Sequence, residues 1–186
     1  LHIRIPKLGW VRMRESLRFD PAKIMSATIT READRWFVSL SCELPVITHK
    51  RPAENQSVVG VDLGVRELAV CSNGYRVPGP KAYVEHLKKL KRLQRSLSRR
   101  EKGSKRYQKR RVEIAKLHHR IRNLRLESLH QLTSYLTGHF HTIGIENLNV
   151  SGMLKNHRLA MRIADMGFYE FRRQLIYKAQ ARGCEV

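Results

Sequence analysis

Two apolar stripes at helical spacing, separated by a four-residue break, constrain this chain more than any other feature. Val84, Leu87, Leu90, Leu93 and Leu97 fall on one side of a helix expected over 84–101. Lys102-Gly103-Ser104-Lys105 interrupts the pattern. Ile114, Leu117, Ile121 and Leu124 then recur by steps of 3, 4 and 3 along a second helix expected over about 106–137, the spacing of a coiled-coil seam. A short Gly/Ser turn between two such helices predicts an antiparallel hairpin over 84–137.

The flanking segments are β-rich before the hairpin and mixed after it. Ile24 to Thr30 and Trp36 to Glu43 read as strands joined by the turn Arg31 to Arg35. A small β-barrel, or part of one, is expected over 1–44, with Trp10 and Trp36 in its core. Residues 45–56, with two prolines, read as a linker. Val58 to Leu63 reads as a buried strand and Leu68 to Ser72 as a second. Asn73-Gly74 turns the chain into a third near Tyr75 to Val77. Beyond the hairpin, Thr142 to Ile145 is a strand, followed by a polar loop. A helix over 162–182 buries Ile163, Phe168, Phe171, Leu175 and Ala179, Gly183 caps it, and a last strand begins. A meander, helices, a strand, a helix and a strand fit an α/β fold with a mixed sheet of the ribonuclease H type.

Charge narrows the partner. Lys and Arg number 37 against 16 Asp and Glu, a formal net charge of +21. Such an excess calls for a polyanion to relieve its self-repulsion, and nucleic acid is the usual one. No apolar run approaches the ~18 residues of a membrane-spanning helix, and no signal peptide is visible. Between Lys81 and Glu127 there are 18 basic and 4 acidic residues, net +14. The candidate nucleic-acid contacts are Lys88, Lys89, Arg92, Arg95, Arg99, Arg100, Lys105, Arg106, Lys109, Arg110 and Arg111, crowded towards one end of the hairpin. Binding there should release counterions and weaken steeply with salt. Tyr83 and Tyr107 are candidates for stacking on bases, with packing as the commoner role.

Two carboxylates stand in unusual places. Asp62 lies within Val58-Val59-Gly60-Val61-Asp62-Leu63-Gly64, where an apolar strand disfavours a charge that nothing compensates. A hard cation such as Mg²⁺ is a natural compensator. Gly60 and Gly64 leave room for a substrate or a backbone. Glu146 is the first charge after the apolar strand Thr142 to Ile145, and the carboxyl ends of strands are where sites form in open α/β sheets. If the two strands are neighbours, Asp62 and Glu146 can share a metal. A strand-end Glu that merely reaches solvent is the competing reading.

Other residues carry less. Cys42, Cys71 and Cys184 lie far apart with no C-x-x-C pair, so they read as reduced, buried thiols of a cytosolic protein. His139 and His141 alternate at a strand entry but lack a partner cluster, and His118 and His119 read as helix-surface or seam residues. The chain opens at Leu1 inside an alternating segment and closes at Val186 as a strand begins, so both ends read as cuts through an ordered protein.

Four ordered motifs resemble the TnpB family of transposon-encoded RNA-guided nucleases, relatives of type V CRISPR effectors. Gly60-Val61-Asp62-Leu63-Gly64-Val65, with Ala69-Val70 and Asn73-Gly74, is similar to its first RuvC motif. Ile145-Glu146-Asn147-Leu148 is similar to its second. Ala164-Asp165-Met166-Gly167-Phe168, with Phe171-Arg172 and Tyr177-Lys178-Ala179, resembles the helix that follows, and Ile5-Pro6-Lys7-Leu8-Gly9 resembles the β-rich wedge segment before the nuclease domain. The resemblance implies a partial wedge segment and linker over 1–56 and a ribonuclease H-like RuvC domain over 57–186, incomplete at its C-terminus. It implies an RNA-guided DNA endonuclease of the prokaryotic cytoplasm and nucleoid that hydrolyses phosphodiester bonds by a two-metal mechanism with Mg²⁺ or Mn²⁺. Its partners would be guide RNA and target DNA. Asp62 and Glu146 match the first two of three acids. The third, and a zinc ribbon before it, lie beyond Val186 in the family pattern. Asp165 reads instead as a helix cap or first-turn charge. A regulator of the same lineage that binds without cutting, a generic basic RNA-binding protein and a DNA-joining transposase are the other readings.

Overall fold

The computed structural model describes residues 2–17, 23–43 and 57–186. These fall into two units. In the smaller, β1 (His2–Ile5) pairs antiparallel with β2 (Gly9–Arg12), and β3 (Lys23–Glu32) pairs with β4 (Arg35–Glu43) in a separate two-stranded sheet, whose turn Arg31–Arg35 belongs to the larger unit. No closed barrel forms among the described residues. Trp10 and Trp36, expected in a core, are 71% and 68% exposed. Each ring stands on a two-stranded sheet, too thin among the described residues to enclose a side chain of that size. The expected linker over 45–56 lies outside the described residues.

The larger unit is built on a four-stranded sheet. β5 (Val58–Asp62), β6 (Glu67–Cys71) and β7 (Arg76–Pro78) form the expected antiparallel meander. α1 (Ala82–Ser98) and α2 (Lys105–His139) follow, then β8 (Thr142–Ile145), α3 (Val150–Leu154), α4 (Ala160–Met166) and α5 (Phe168–Arg182). The spatial order is β7-β6-β5-β8, with β8 parallel to β5. Beyond β8 the chain adds one more rung. Glu185 bridges Thr142 in parallel, donating its N–H to His141 O at 2.8 Å and accepting from Ile143 N at 2.9 Å. The fold is therefore α/β with a mixed sheet.

One face of the sheet carries the core. Val59, Val61, Leu68, Ala69, Cys71 and Ile143 pack with Leu129, Leu132 and Leu136 of α2 and with Phe168, Phe171 and Leu175 of α5. β5 alternates strictly, with Val59 and Val61 buried and Val58, Gly60 and Asp62 exposed. It is half-buried rather than fully buried as its apolar sequence suggested, because no helix among the described residues covers the second face.

The hairpin forms as the stripes predict and has its own small core of Ala82, Leu90, Leu93, Leu117 and Ile121. Leu124 and Val84, expected on the seam, are each 39% exposed, since they lie at the edges of an arc that only the inner positions close. Ser104 caps α2 by accepting from Tyr107 N at 3.2 Å. The helix expected over 162–182 is two helices. Gly167 takes a left-handed φ of 69° between α4 and α5, and a Cβ there would meet Leu129 Cδ1 at 3.2 Å. The loop expected after Glu146 contains the short α3, capped by Asn149. His139 closes α2 rather than entering a strand.

Candidate functional site

The parallel register places the two acids side by side. Val61 of β5 pairs with Ile145 of β8, and the next residues along the chain are Asp62 and Glu146. Both therefore leave the carboxyl ends of neighbouring strands, one strand spacing of roughly 4.8 Å apart at the backbone. The strand adjacency expected from element order is present.

The surroundings of the pair are open. Asp62 and Glu146 are both exposed. The premise that Asp62 is buried and so demands a counter-charge does not hold, because alternation turns it to the uncovered face. On that face Gly60 sits opposite Gly144. A Cβ at Gly144 would meet nothing nearer than Val59 O at 3.8 Å, and one at Gly60 nothing nearer than Ser72 Cβ at 3.9 Å. Neither glycine is forced by crowding; together they leave a smooth strip that a substrate backbone can approach. Ser72 braces the strip. Its hydroxyl accepts from Gly60 N at 3.1 Å, and its own N–H donates to Gly60 O at 2.9 Å.

The donor set suits a hard cation. Among the described residues neither acid is in an ion pair, and two free carboxylates on adjacent strand ends offer oxygen ligands of the kind Mg²⁺ and Mn²⁺ prefer. Two is also the limit, since no group of three His, Cys, Asp or Glu that could hold a metal occurs among the described residues. His139 Nδ1 contacts Tyr135 O and His141 Nδ1 contacts Thr142 Oγ1. Cys42, Cys71 and Cys184 are free thiols, of which only Cys71 is fully buried; burial pushes its pKa up.

Arg172 is a neighbour that charge counting did not single out. From α5 its Nη1 donates to Asn147 Oδ1 at 2.7 Å, so it fixes the residue that follows Glu146. The one signal in the sequence was its place in the Phe171-Arg172 pair of the motif that resembles the family helix.

Asp165 is not at a helix start and does not cap its own helix. It lies near the end of α4, fully buried. Its carboxylate accepts from Tyr83 N and from Arg125 Nε, the latter at 2.5 Å. It thus caps α1, whose own N-cap position, Lys81, supplies no side-chain bond. Its oxygens are committed to the hairpin.

The structure separates the basic residues of the hairpin. Arg92, Arg95, Arg99, Arg100 and Arg106 line one open cleft at the tip of the hairpin. Lys88, Lys89, Lys105, Lys109 and Arg111 are exposed outside it. Arg110 is partly committed, paired with Glu113 at 2.5 Å. His118 is exposed, whereas His119 pairs with Glu32 at 3.0 Å.

Residues 39–157 match the OrfB_IS605 family model, described as "Probable transposase". The chain belongs to this family. It is 37% identical over 199 aligned residues to the "Putative RNA-guided DNA endonuclease InsQ" of Escherichia coli (strain K12), covering 99% of this chain and 49% of that protein. It is also 37% identical over 168 residues to a "Putative RNA-guided DNA endonuclease" of Streptomyces pristinaespiralis, covering 90% of this chain and 41% of that protein. The resemblance to TnpB-like proteins is therefore borne out, and the chain spans about half or less of the length of these relatives. No helix among its described residues is long and apolar enough to cross a membrane.

Proposed function

We propose that this OrfB-family chain is the nucleic-acid-binding and partial catalytic portion of an RNA-guided DNA endonuclease with a ribonuclease H-like RuvC domain. The observation that carries the reading is the register of β5 and β8, which brings Asp62 and Glu146 to adjacent strand ends. The sheet order β7-β6-β5-β8, extended in parallel at Glu185, supports the RuvC assignment. The relatives' names support the RNA-guided activity and the partners, guide RNA and target DNA.

In this reading Asp62 and Glu146 hold divalent metal, Mg²⁺ or Mn²⁺, through their carboxylate oxygens. Bound there, a metal pair supplies activated water and charge stabilisation for phosphodiester hydrolysis. The strip at Gly60 and Gly144 admits the strand to be cut. Arg172 holds Asn147 and so keeps the Glu146 turn in place. The hairpin carries the electrostatic work, gripping phosphates without reading sequence, which base pairing would supply.

Cleavage by the longer protein carrying these strands tests the reading. Asp62→Ala should abolish Mg²⁺-dependent DNA cleavage while RNA binding persists. Cleavage that survives both Asp62→Ala and Glu146→Ala would overturn it. RNA and DNA binding with no cleavage by the unmutated protein would favour the binding-only regulator, a reading that the two-acid limit among the described residues keeps in view.

A further inference from the structure

The basic tip of the hairpin is concave, and its arginines do not spread as a uniform face. Arg92 and Arg95 from the last turns of α1, Arg99 at its C-cap, Arg100 from the loop and Arg106 from the first turn of α2 surround a cleft of about 700 Å³, with Glu101 the one acid in its lining. That volume lies within the ~300–1,000 Å³ typical of ligand clefts and far exceeds one small anion. Two further features point at an anionic occupant. The Nε of Arg100 has no hydrogen-bond partner among the described residues, as is also true of Arg110 outside the cleft, so the Arg100 guanidinium keeps donor capacity that an acceptor in the cleft can draw on once the side chain turns towards it. Ser104, also in the lining, is the N-cap of the 35-residue α2; its hydroxyl takes the Tyr107 N–H, and the positive end of the long helix dipole still opens at the cleft.

We propose that this cleft is a discrete site for the sugar-phosphate backbone of a single strand, gripped by guanidinium forks at successive phosphates. The inference rests on reading the hairpin as a nucleic-acid interface and adds what part of a nucleic acid its tip accepts. A duplex presents its backbone as a wide convex surface, suited to the outer sides of the helices, where Lys88, Lys89 and Lys109 are exposed. A cleft between two helix ends admits a narrower, bent strand. Arginine supplies the chemistry, since its planar fork bonds phosphate oxygens in pairs where lysine offers a point charge. Single-stranded RNA and DNA share this backbone, and the experiment separates them.

Fluorescence anisotropy with labelled single-stranded RNA, single-stranded DNA and a blunt duplex, each about ten nucleotides long to match common single-strand site sizes, gives the test. Arg100→Lys keeps the charge and loses the fork. It should weaken single-strand binding about tenfold and duplex binding no more than about twofold, because the fork geometry rather than the charge is removed. Arg92→Lys, on an exposed turn of α1, should repeat the pattern without disturbing the loop. Lys109→Gln removes a charge outside the cleft and should weaken strand and duplex alike, by about twofold. The single strand that loses more with Arg100→Lys is the one the cleft holds. Arg100→Lys and Arg92→Lys binding as the unmutated chain does, with Lys109→Gln weaker than both, would overturn the cleft and leave a diffuse basic face. Failure of the unmutated chain to bind any of the three probes would overturn the hairpin reading itself.

Discussion

Asp165 accepts the backbone N–H of Tyr83 with both carboxylate oxygens, at 3.1 and 3.0 Å, across 82 residues of sequence. Arg125 of α2 donates to the same carboxylate and lies over the Tyr83 ring at 5.7 Å. One buried acid thus ties α4, which follows the Glu146 strand, to the start of α1 and the middle of α2. The tie fixes where the basic hairpin springs from the sheet.

Asp165→Ala should therefore be among the most destabilising single changes in the chain. It leaves the Arg125 guanidinium, 28% exposed, and the α1 terminus without their acceptor. Removing one partner of a buried pair costs about 3–5 kcal/mol, and the part exposure of Arg125 puts the expectation near the lower end. Urea unfolding followed by circular dichroism measures it. Asp165→Asn, which keeps one acceptor, should cost less than the alanine.

Acid should weaken the hydrogen-bond cluster in the first turns of α5. Hydrogen bonds from Arg173, first in weight, and from Gln174 lower the pKa of Glu170 from 4.5 to about 2. The folded state thus holds this group ionised more firmly than the unfolded chain does. Its contribution is complete above pH 4.5 and is lost as the pH falls towards about 2. Glu170→Gln should flatten the stability curve within that window by about 1–2 kcal/mol, discounted for a side chain that still meets solvent. Denaturant midpoints between pH 6 and the acid limit give the comparison.

Salt should control nucleic-acid binding. Every phosphate neutralised by the hairpin contributes about −0.9 to the slope of log affinity against log salt for duplex DNA, and about −0.7 for single strands. Replacing Lys88 and Lys89 together by Gln should reduce the duplex slope by about 2 if both meet phosphates. Filter binding or anisotropy across a salt series reads the change directly.

The strongly periodic elements are legible in the amino-acid order alone. Leu90, Leu93, Leu117 and Ile121 announce the hairpin and do form its core, because spacing at 3.6 residues has few other solutions. Asn73-Gly74 announces the turn of the meander, and Gly74 takes the positive φ of 86° that such a turn requires. The neighbouring positions of Asp62 and Glu146 follow from element order. What fails depends on partners that sequence does not name. An apolar strand such as β5 reads as buried on both faces whether or not a second layer covers it, and Trp10 and Trp36 read as core in a segment too thin to enclose them. Asp165 departs from its expected role because a carboxylate capping another helix leaves no local signature; its partners are 82 and 40 residues away. The same holds for the cleft, whose arginines converge only when α1 and α2 fold back on each other.

Mn²⁺ titration followed by electron paramagnetic resonance, on the chain, on Asp62→Ala, on Glu146→Ala and on the double variant, tests the central claim most directly. If the two strand-end carboxylates share an ion, either substitution should weaken Mn²⁺ binding by about tenfold or more, and the double should be little worse than either single, the non-additivity expected of residues acting on one ligand. Mn²⁺ binding unchanged in both single variants, or losses that simply add, would contradict a shared site.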